Sequence, residues 1–260
     1  KTWTFLGLGW WVKIRMAESA ESDQLLFASF FGQKISRHRC LRFIDGQPFK
    51  DQAFWTLPNS AASGHLILVQ QAHEHDCREC EGIAGFQAVH SNDCSRAMES
   101  AAKRGHLKVI KWFTKNCFQS RSLFAPNIID TAARAGHLPV VEWLHAEHPR
   151  IGCTFMAMDG ASFAGHLPVV EWLHAHRAEG CTSSALDLAA GNGHLPVAEW
   201  LHAHRAEGGS VLAMDLAAGN GHLPVVEWLH ARRAEGCTPL ARRLAAQNGH
   251  PEVAEWLASR

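Results

Sequence analysis

The chain lacks a surplus of charge of either sign: 25 Lys and Arg balance 25 Asp and Glu over 260 residues, and the formal net charge is zero with histidine neutral. Recognition of nucleic acid through its phosphates draws on an excess of Lys and Arg or on a basic face. The composition supplies no such excess, so nucleic acid is not an expected partner. Long apolar runs are also missing. A helix that crosses a bilayer takes about 20 predominantly apolar residues, and no stretch here provides them, so no membrane span is expected. The opening KTWTFLGLGWWVKI is apolar but short, and it lacks the small-residue cleavage pattern of a secretory signal. Lys1 in place of an initiating Met leaves two readings open, a piece of a longer protein or a start at Met16. The usual catalytic signatures are absent as well: there is no Gly-rich phosphate loop and no nucleophile elbow. The chain is therefore read as non-enzymatic and without a cofactor.

What the chain does have is repetition. Cys181 to Gly208 (CTSSALDLAAGNGHLPVAEWLHAHRAEG) and Gly209 to Gly236 (GSVLAMDLAAGNGHLPVVEWLHARRAEG) agree at 21 of 28 aligned positions. The register is carried by a Gly-His pair at Gly136-His137, Gly165-His166, Gly193-His194, Gly221-His222 and Gly249-His250, with spacings of 29, 28, 28 and 28. Gly105-His106 lies 31 residues upstream of the first of these, and a more degraded copy falls at Gly64-His65. A period of this length means stacked supersecondary units, because no one unit can bury its own apolar face.

Each unit reads as two short helices. A hydroxyl residue stands eleven positions before the glycine, at Thr154, Thr182, Ser210 and Thr238. It is placed to cap a first helix, and Pro239 after Thr238 fits the first helical position. Asp130, Asp159, Asp187 and Asp215 follow in the early turns, where a carboxylate complements the positive end of the helix dipole. Alanine pairs such as Ala189-Ala190 and Ala217-Ala218 allow close helix approach, and Gly193 and its equivalents turn the backbone at positive φ. The second helix opens at Pro139, Pro168, Pro196 or Pro224. Val197, Trp200 and Leu201 form its apolar stripe at i, i+3 and i+4, repeated by Val225, Trp228 and Leu229. Arg205 closes it as a cation suited to the negative helix end. Helices of roughly a dozen residues are marginal alone in water, so stacking must stabilise them.

These residues resemble the ankyrin repeat family. The family pattern Thr-Pro-Leu-His-x-Ala-Ala-x-x-Gly-His, then Val-Val-x-x-Leu, lies over Ser184-Ala185-Leu186-Asp187-Leu188-Ala189-Ala190-Gly191-Asn192-Gly193-His194 and Val197-Ala198-Glu199-Trp200-Leu201. The likeness covers residues 94–260, with a faded copy over 54–81. It implies an all-α, ankyrin-like helical solenoid of stacked helix-turn-helix repeats. Asp stands where the family has His in the first helix, and the unit is 28 residues rather than about 33. The shortfall lies between one second helix and the next first helix, where the family carries a β-hairpin finger, so short fingers or none are expected.

The array is assigned to residues 54–260, about seven units with the first degenerate. The last, with Arg242-Arg243 and Pro251-Glu252, reads as a C-terminal cap, because a terminal repeat needs a polar outer side. Residues 1–53 show no alignable periodicity. They read either as decayed repeats or as part of a separate domain.

Three constellations invite a chemical reading. His73, His75, Cys77 and Cys80 in AHEHDCREC have a composition that zinc accepts, but three of the four fall on repeat template positions, which makes zinc binding the weaker reading. The Gly-His histidines recur unit by unit, so they form a ladder of turn residues and do not converge on one ion. The row Trp112, Trp143, Trp172, Trp200, Trp228 and Trp256 reads as core. Cys153, Cys181 and Cys237 occupy matching places in separate units, too far apart to pair. Free thiols suit a reducing compartment, so an intracellular, cytoplasmic protein is expected.

The resemblance implies a protein-binding scaffold that presents its concave side to a partner protein. The family's variable first-helix contact positions correspond here to Lys103, Arg104, Arg134, Phe163, Leu188, Asn192, Leu216 and Asn220. A monomer is expected. The alternative is the substrate-recruiting half of a larger adaptor linked to a ubiquitin ligase or a kinase, its other domain missing.

Overall fold

A computed structural model of the chain describes residues 2–7, 10–15, 56–79, 86–116, 127–232 and 236–260. The chain divides into two units, Lys1–Gln52 and Ala53–Arg260. In the first, strand β1 (Thr2–Gly7) pairs antiparallel with β2 (Trp10–Arg15), Thr2 opposite Arg15 and Gly7 opposite Trp10. Thr, Trp, Phe, Val and Ile dominate these segments, residue types that favour the pleated surface of a sheet.

The second unit is an all-α solenoid of paired helices. The pairs are α1 (Leu57–Ser63) with α2 (Leu66–Glu79), α3 (Phe86–Lys103) with α4 (Leu107–Asn116), and α5 (Ile128–Arg134) with α6 (Leu138–Glu147). They continue with α7 (Phe155–Phe163) and α8 (Leu167–His176), α9 (Ser184–Gly191) and α10 (Leu195–His204), α11 (Val211–Gly219) and α12 (Leu223–Arg232), and finally α13 (Pro239–Gln247) and α14 (Pro251–Ala258). Within each unit the two helices pack on each other, and each first helix also packs on the first helices of its neighbours. The connections 148–154, 177–183 and 205–210 are irregular and hold no β-hairpin, so the fingers are reduced to short loops.

One core runs the length of the stack. Ala189, Ala190, Ala217 and Ala218 are fully buried between first helices, and Val197, Ala198 and Leu201, with Val225, Val226 and Leu229, are buried on the second helices. The expected stripe of Val197, Trp200 and Leu201 is thereby corrected. At about 100° per residue, Val197, Ala198 and Leu201 share one arc of the helix and Trp200 stands at its edge. All six tryptophans of the row are half-buried against the core's margin instead of lying within it.

The aspartates are corrected too. Asp187 is 6% exposed and its carboxylate reaches the following unit, where the Ser210 N–H donates to Oδ1 at 2.7 Å and the Ser210 hydroxyl donates to Oδ2 at 2.7 Å. Asp130 receives the same pair of bonds from Thr154, Asp159 from Thr182 and Asp215 from Thr238. Each hydroxyl meanwhile accepts the N–H two residues on, at Met156, Ser184, Leu212 or Leu240, the capping role expected of it. The carboxylate serves the cap of the next helix rather than the dipole of its own. Because a buried charge is tolerated when it is hydrogen-bonded, each Asp makes docking of the following unit a condition of its own burial. Arg243 stands at this position in the last unit and can accept nothing, so the ladder ends there.

The Gly-His pairs form a second ladder. Gly193 has φ +78, and a Cβ there would lie 2.6 Å from Nδ1 of His222, the histidine of the next unit. The same relation joins Gly105 to His137, Gly136 to His166 and Gly165 to His194. Toward the start of the array, His106 Nε2 lies 2.9 Å from the Ala62 carbonyl oxygen, and His137 Nε2 lies 3.2 Å from that of Lys103. Gly249, in the last of the described units, has nothing within 4 Å of the equivalent position.

Candidate interaction face

Five successive first helices, α3 to α11, carry the residues singled out from the sequence. Counted back from the Gly of each Gly-His pair, these side chains stand one, two or five positions before it, a spacing of i, i+3 and i+4 that puts them on one stripe of the helix. Lys103, Arg104 and Arg134 are exposed. Phe163 and Leu216 are 37% and 36% exposed, large values for apolar side chains, and Leu188 is half-buried. The Arg134 guanidinium lies over the Phe163 ring, 5.2 Å from its centroid, a cation–π contact across the boundary of two units.

Asn192 and Asn220 behave differently from the rest. The Asn220 amide donates to the Gly191 carbonyl at 2.6 Å, as Asn248 does to that of Gly219 at 2.7 Å, while Asn192 donates to Leu188 within its own unit at 2.9 Å. The break in pattern has a steric cause. Leu216 packs where a Cβ on Gly191 would sit 2.9 Å from its own Cβ, and Leu244 and Gly219 repeat that arrangement at 3.2 Å. The unit of α7 has Phe163 where these units have Gly191 and Gly219, so α9 meets a ring where α11 and α13 meet bare backbone. The donors of Asn192 and Asn220 are thus engaged inside the array.

Two exposed apolar residues on the same stripe escaped the sequence reading, Met156 at 59% and Leu212 at 51% exposure. Each lies four residues before the next stripe position, Gly160 or Leu216, so helical spacing read backwards from Leu216 reaches Leu212.

Charge on the two helix layers is separated. From α5 to α11 the only carboxylates on first helices are Asp130, Asp159, Asp187 and Asp215, all buried in caps. On the second helices Glu142, Glu171, Glu199, Glu227 and Glu255 are exposed in matching places. A net charge of zero for the chain conceals this division.

The second-helix side carries its own ladder, in which a histidine of one unit meets the tryptophan of the next edge-on. His145 and Trp172 have centroids 5.2 Å apart, His174 and Trp200 5.1 Å, and His202 and Trp228 5.4 Å. Nor does Arg205 serve its own helix end. Its guanidinium lies 3.3 Å from His174 Nδ1 of the preceding unit and bonds Glu207, just as Arg177 lies 3.3 Å from His145 and bonds Glu179. His73 fits this template with its ring 5.2 Å from Trp112. Of the other suggested zinc ligands, His75, Cys77 and Cys80 have side chains outside the described residues, and among the described residues no group of three or more His, Cys, Asp or Glu could hold a metal.

Burial holds His166 and His222 below the ordinary imidazole value, and the neighbouring ladder histidines add to the effect, His137 and His194 for the first, His194 and His250 for the second. Burial also pushes the Cys153 thiol up to about 11. Among the described residues Cys153, Cys181 and Cys237 are free thiols. Among the described residues no helix is long and apolar enough to cross a membrane.

No curated protein sequence matches the chain. A family description of ankyrin repeats (3 copies) matches residues 186–260, and one of ankyrin repeats (many copies) matches residues 154–202. Ankyrin repeats are in general protein–protein interaction modules. With the paired helices and the Gly-His turns, these matches make residues 154–260 of the chain ankyrin repeats.

Proposed function

We propose that the chain is a non-enzymatic scaffold that holds a partner protein on the concave, first-helix side of the array. The observation that carries this reading is the row Phe163, Leu188 and Leu216, apolar side chains left partly open at neighbouring places in three successive units. Solvent-facing surface away from binding sites has no use for such a row, since contiguous exposed apolar surface marks interaction sites. Lys103, Arg104 and Arg134 extend the face toward the start of the array. The scaffold is read as a monomer in a reducing, intracellular compartment, which the free thiols support.

Affinity capture from lysate tests it by comparing the chain with a Phe163→Glu, Leu188→Glu, Leu216→Glu variant whose helicity is checked by circular dichroism. Loss of the proteins recovered by the parent chain is expected. Recovery of the same set by both would rule this face out.

A further inference from the structure

Where neighbouring first helices meet on their open face, the residue five positions before the Gly of one Gly-His pair packs on the residue two positions before the Gly of the preceding pair. From α5 onward all of these meetings but one include a glycine. A Cβ on Gly160 would stand 3.0 Å from that of Arg134, one on Gly191 2.9 Å from that of Leu216, and one on Gly219 3.2 Å from that of Leu244. The boundary between α7 and α9 puts Phe163 and Leu188 at these two places, with no glycine on either side. Bare backbone lets helices come close, and two large side chains at one place hold them apart. Two further observations agree. α7 packs less extensively on α9 than α9 does on α11, although both pairs join a helix of nine residues to the same helix of eight. Asn192 keeps its amide on Leu188 of its own helix, at the place where Asn220 and Asn248 each bridge back to the preceding unit. The rest of this boundary is closed, as at the boundary before it. Asp159 receives both Thr182 bonds, at 2.9 and 2.6 Å, and a Cβ on Gly165 would lie 2.6 Å from Nδ1 of His194. On the second-helix side His174 meets the Trp200 ring at 5.1 Å and the Arg205 guanidinium at 3.3 Å.

We infer that the array hinges between the units of α7 and α9. The cap bonds, the Gly-His seat and the second-helix contacts form the pivot, and the edge of Phe163 and Leu188 is the side that opens and closes. A hinge needs only a few positions that yield between bodies that hold their own packing, and the units on either side keep the glycine meetings that this boundary lacks. The partly open apolar side chains are divided by it. Phe163 moves with α7, while Leu188 and Leu216 move with α9 and α11, so the hinge sets how far apart the two parts of the first-helix face stand. The inference does not depend on which partner that face holds.

The test places nitroxide labels in the full chain on ketone-bearing residues, which spare the native thiols. One pair of labels replaces the exposed Met156 and Leu212, two units apart across the α7 and α9 boundary. The other replaces Ser184 and Leu240, the equivalent pair one unit later, which does not cross it. Double electron-electron resonance reads the distance distribution of each pair. The crossing pair should give a distribution about twice as wide as the other, as a hinge within its span requires. Phe163→Gly and Leu188→Gly each give the boundary the glycine that its neighbours have, and each should narrow the crossing distribution to the width of the Ser184 and Leu240 pair. The two substitutions lie on opposite sides of the boundary, so if one variant loses its helical signal in circular dichroism the other decides. Equal widths for the two pairs in the parent chain, or a crossing width that a folded glycine variant leaves unchanged, would overturn the inference.

Discussion

Asp187 and Ser210 are joined twice across a unit boundary, the Ser210 N–H and hydroxyl each donating to a different carboxylate oxygen at 2.7 Å. The acid that the family pattern would have as histidine fastens the beginning of the next repeat. Sequence similarity between units repeats this fastening wherever an Asp in one unit is followed by a Ser or Thr in the next.

Removing that acid should therefore be costly in proportion to a buried, charge-assisted pair. Asp187→Ala is expected to lower stability by about 1.5 to 3 kcal/mol, measured by urea denaturation. In a cycle with Ser210→Ala, the double variant should cost clearly less than the sum of the two single changes, because both remove the same contact. Additive losses would show that the bonds contribute independently.

Gly193 and Gly249 share the left-handed backbone, with φ +78 and +83, but only Gly193 has a histidine against it. Alanine at either position pays the conformational penalty, which exceeds about 1 kcal/mol when the native φ is positive. Gly193→Ala must also displace His222. Its melting temperature should fall further than that of Gly249→Ala, and adding His222→Ala should recover part of the difference. Equal losses would remove the imidazole from the account.

Much of this was legible beforehand. The period fixed the helix pairs, Thr154, Ser210 and Thr238 announced the helix starts, and the Gly-His glycines turn as their type requires. What stayed hidden were relations between units. Nothing in one copy of the repeat says that its Asp faces the next copy's hydroxyl, that Arg205 reaches back to His174, or that Phe163 replaces a glycine needed for close approach. The Trp200 error has a simpler origin. A stripe at i, i+3 and i+4 contains its edges as well as its centre, and only packing decides which neighbour, Ala198 or Trp200, is covered. The strand pair Thr2–Gly7 and Trp10–Arg15 was missed because an apolar run of this length fits strand or helix equally until pairing is seen.

The histidine ladder makes stability depend on pH. His166 and His222 titrate below the ordinary value of 6.5 in the folded chain, so the unfolded chain binds protons first as pH falls. Stability from these groups is fully present above that value and is lost as pH drops from it toward the folded pKa. Glu207, held below its ordinary 4.5 by its bond to Arg205, contributes a separate loss only at lower pH. The urea midpoint should accordingly decline between pH 7 and about 5, and His166→Asn with His222→Asn should flatten that decline. An unchanged slope would assign the dependence to other groups.

Removal of one whole repeat tests the central claim, that each unit is stabilised by equivalent neighbours. Deleting residues 181–208 joins Gly180 to Gly209, sets Asp159 against Ser210 and Gly165 against His222, and so restores both ladders with the same chemistry. The shortened chain is expected to fold cooperatively, to lose the helical signal of α9 and α10 alone, and to show a denaturant slope reduced in proportion to the surface removed. A deletion product that fails to fold, or that loses helical signal well beyond those two helices, would contradict it.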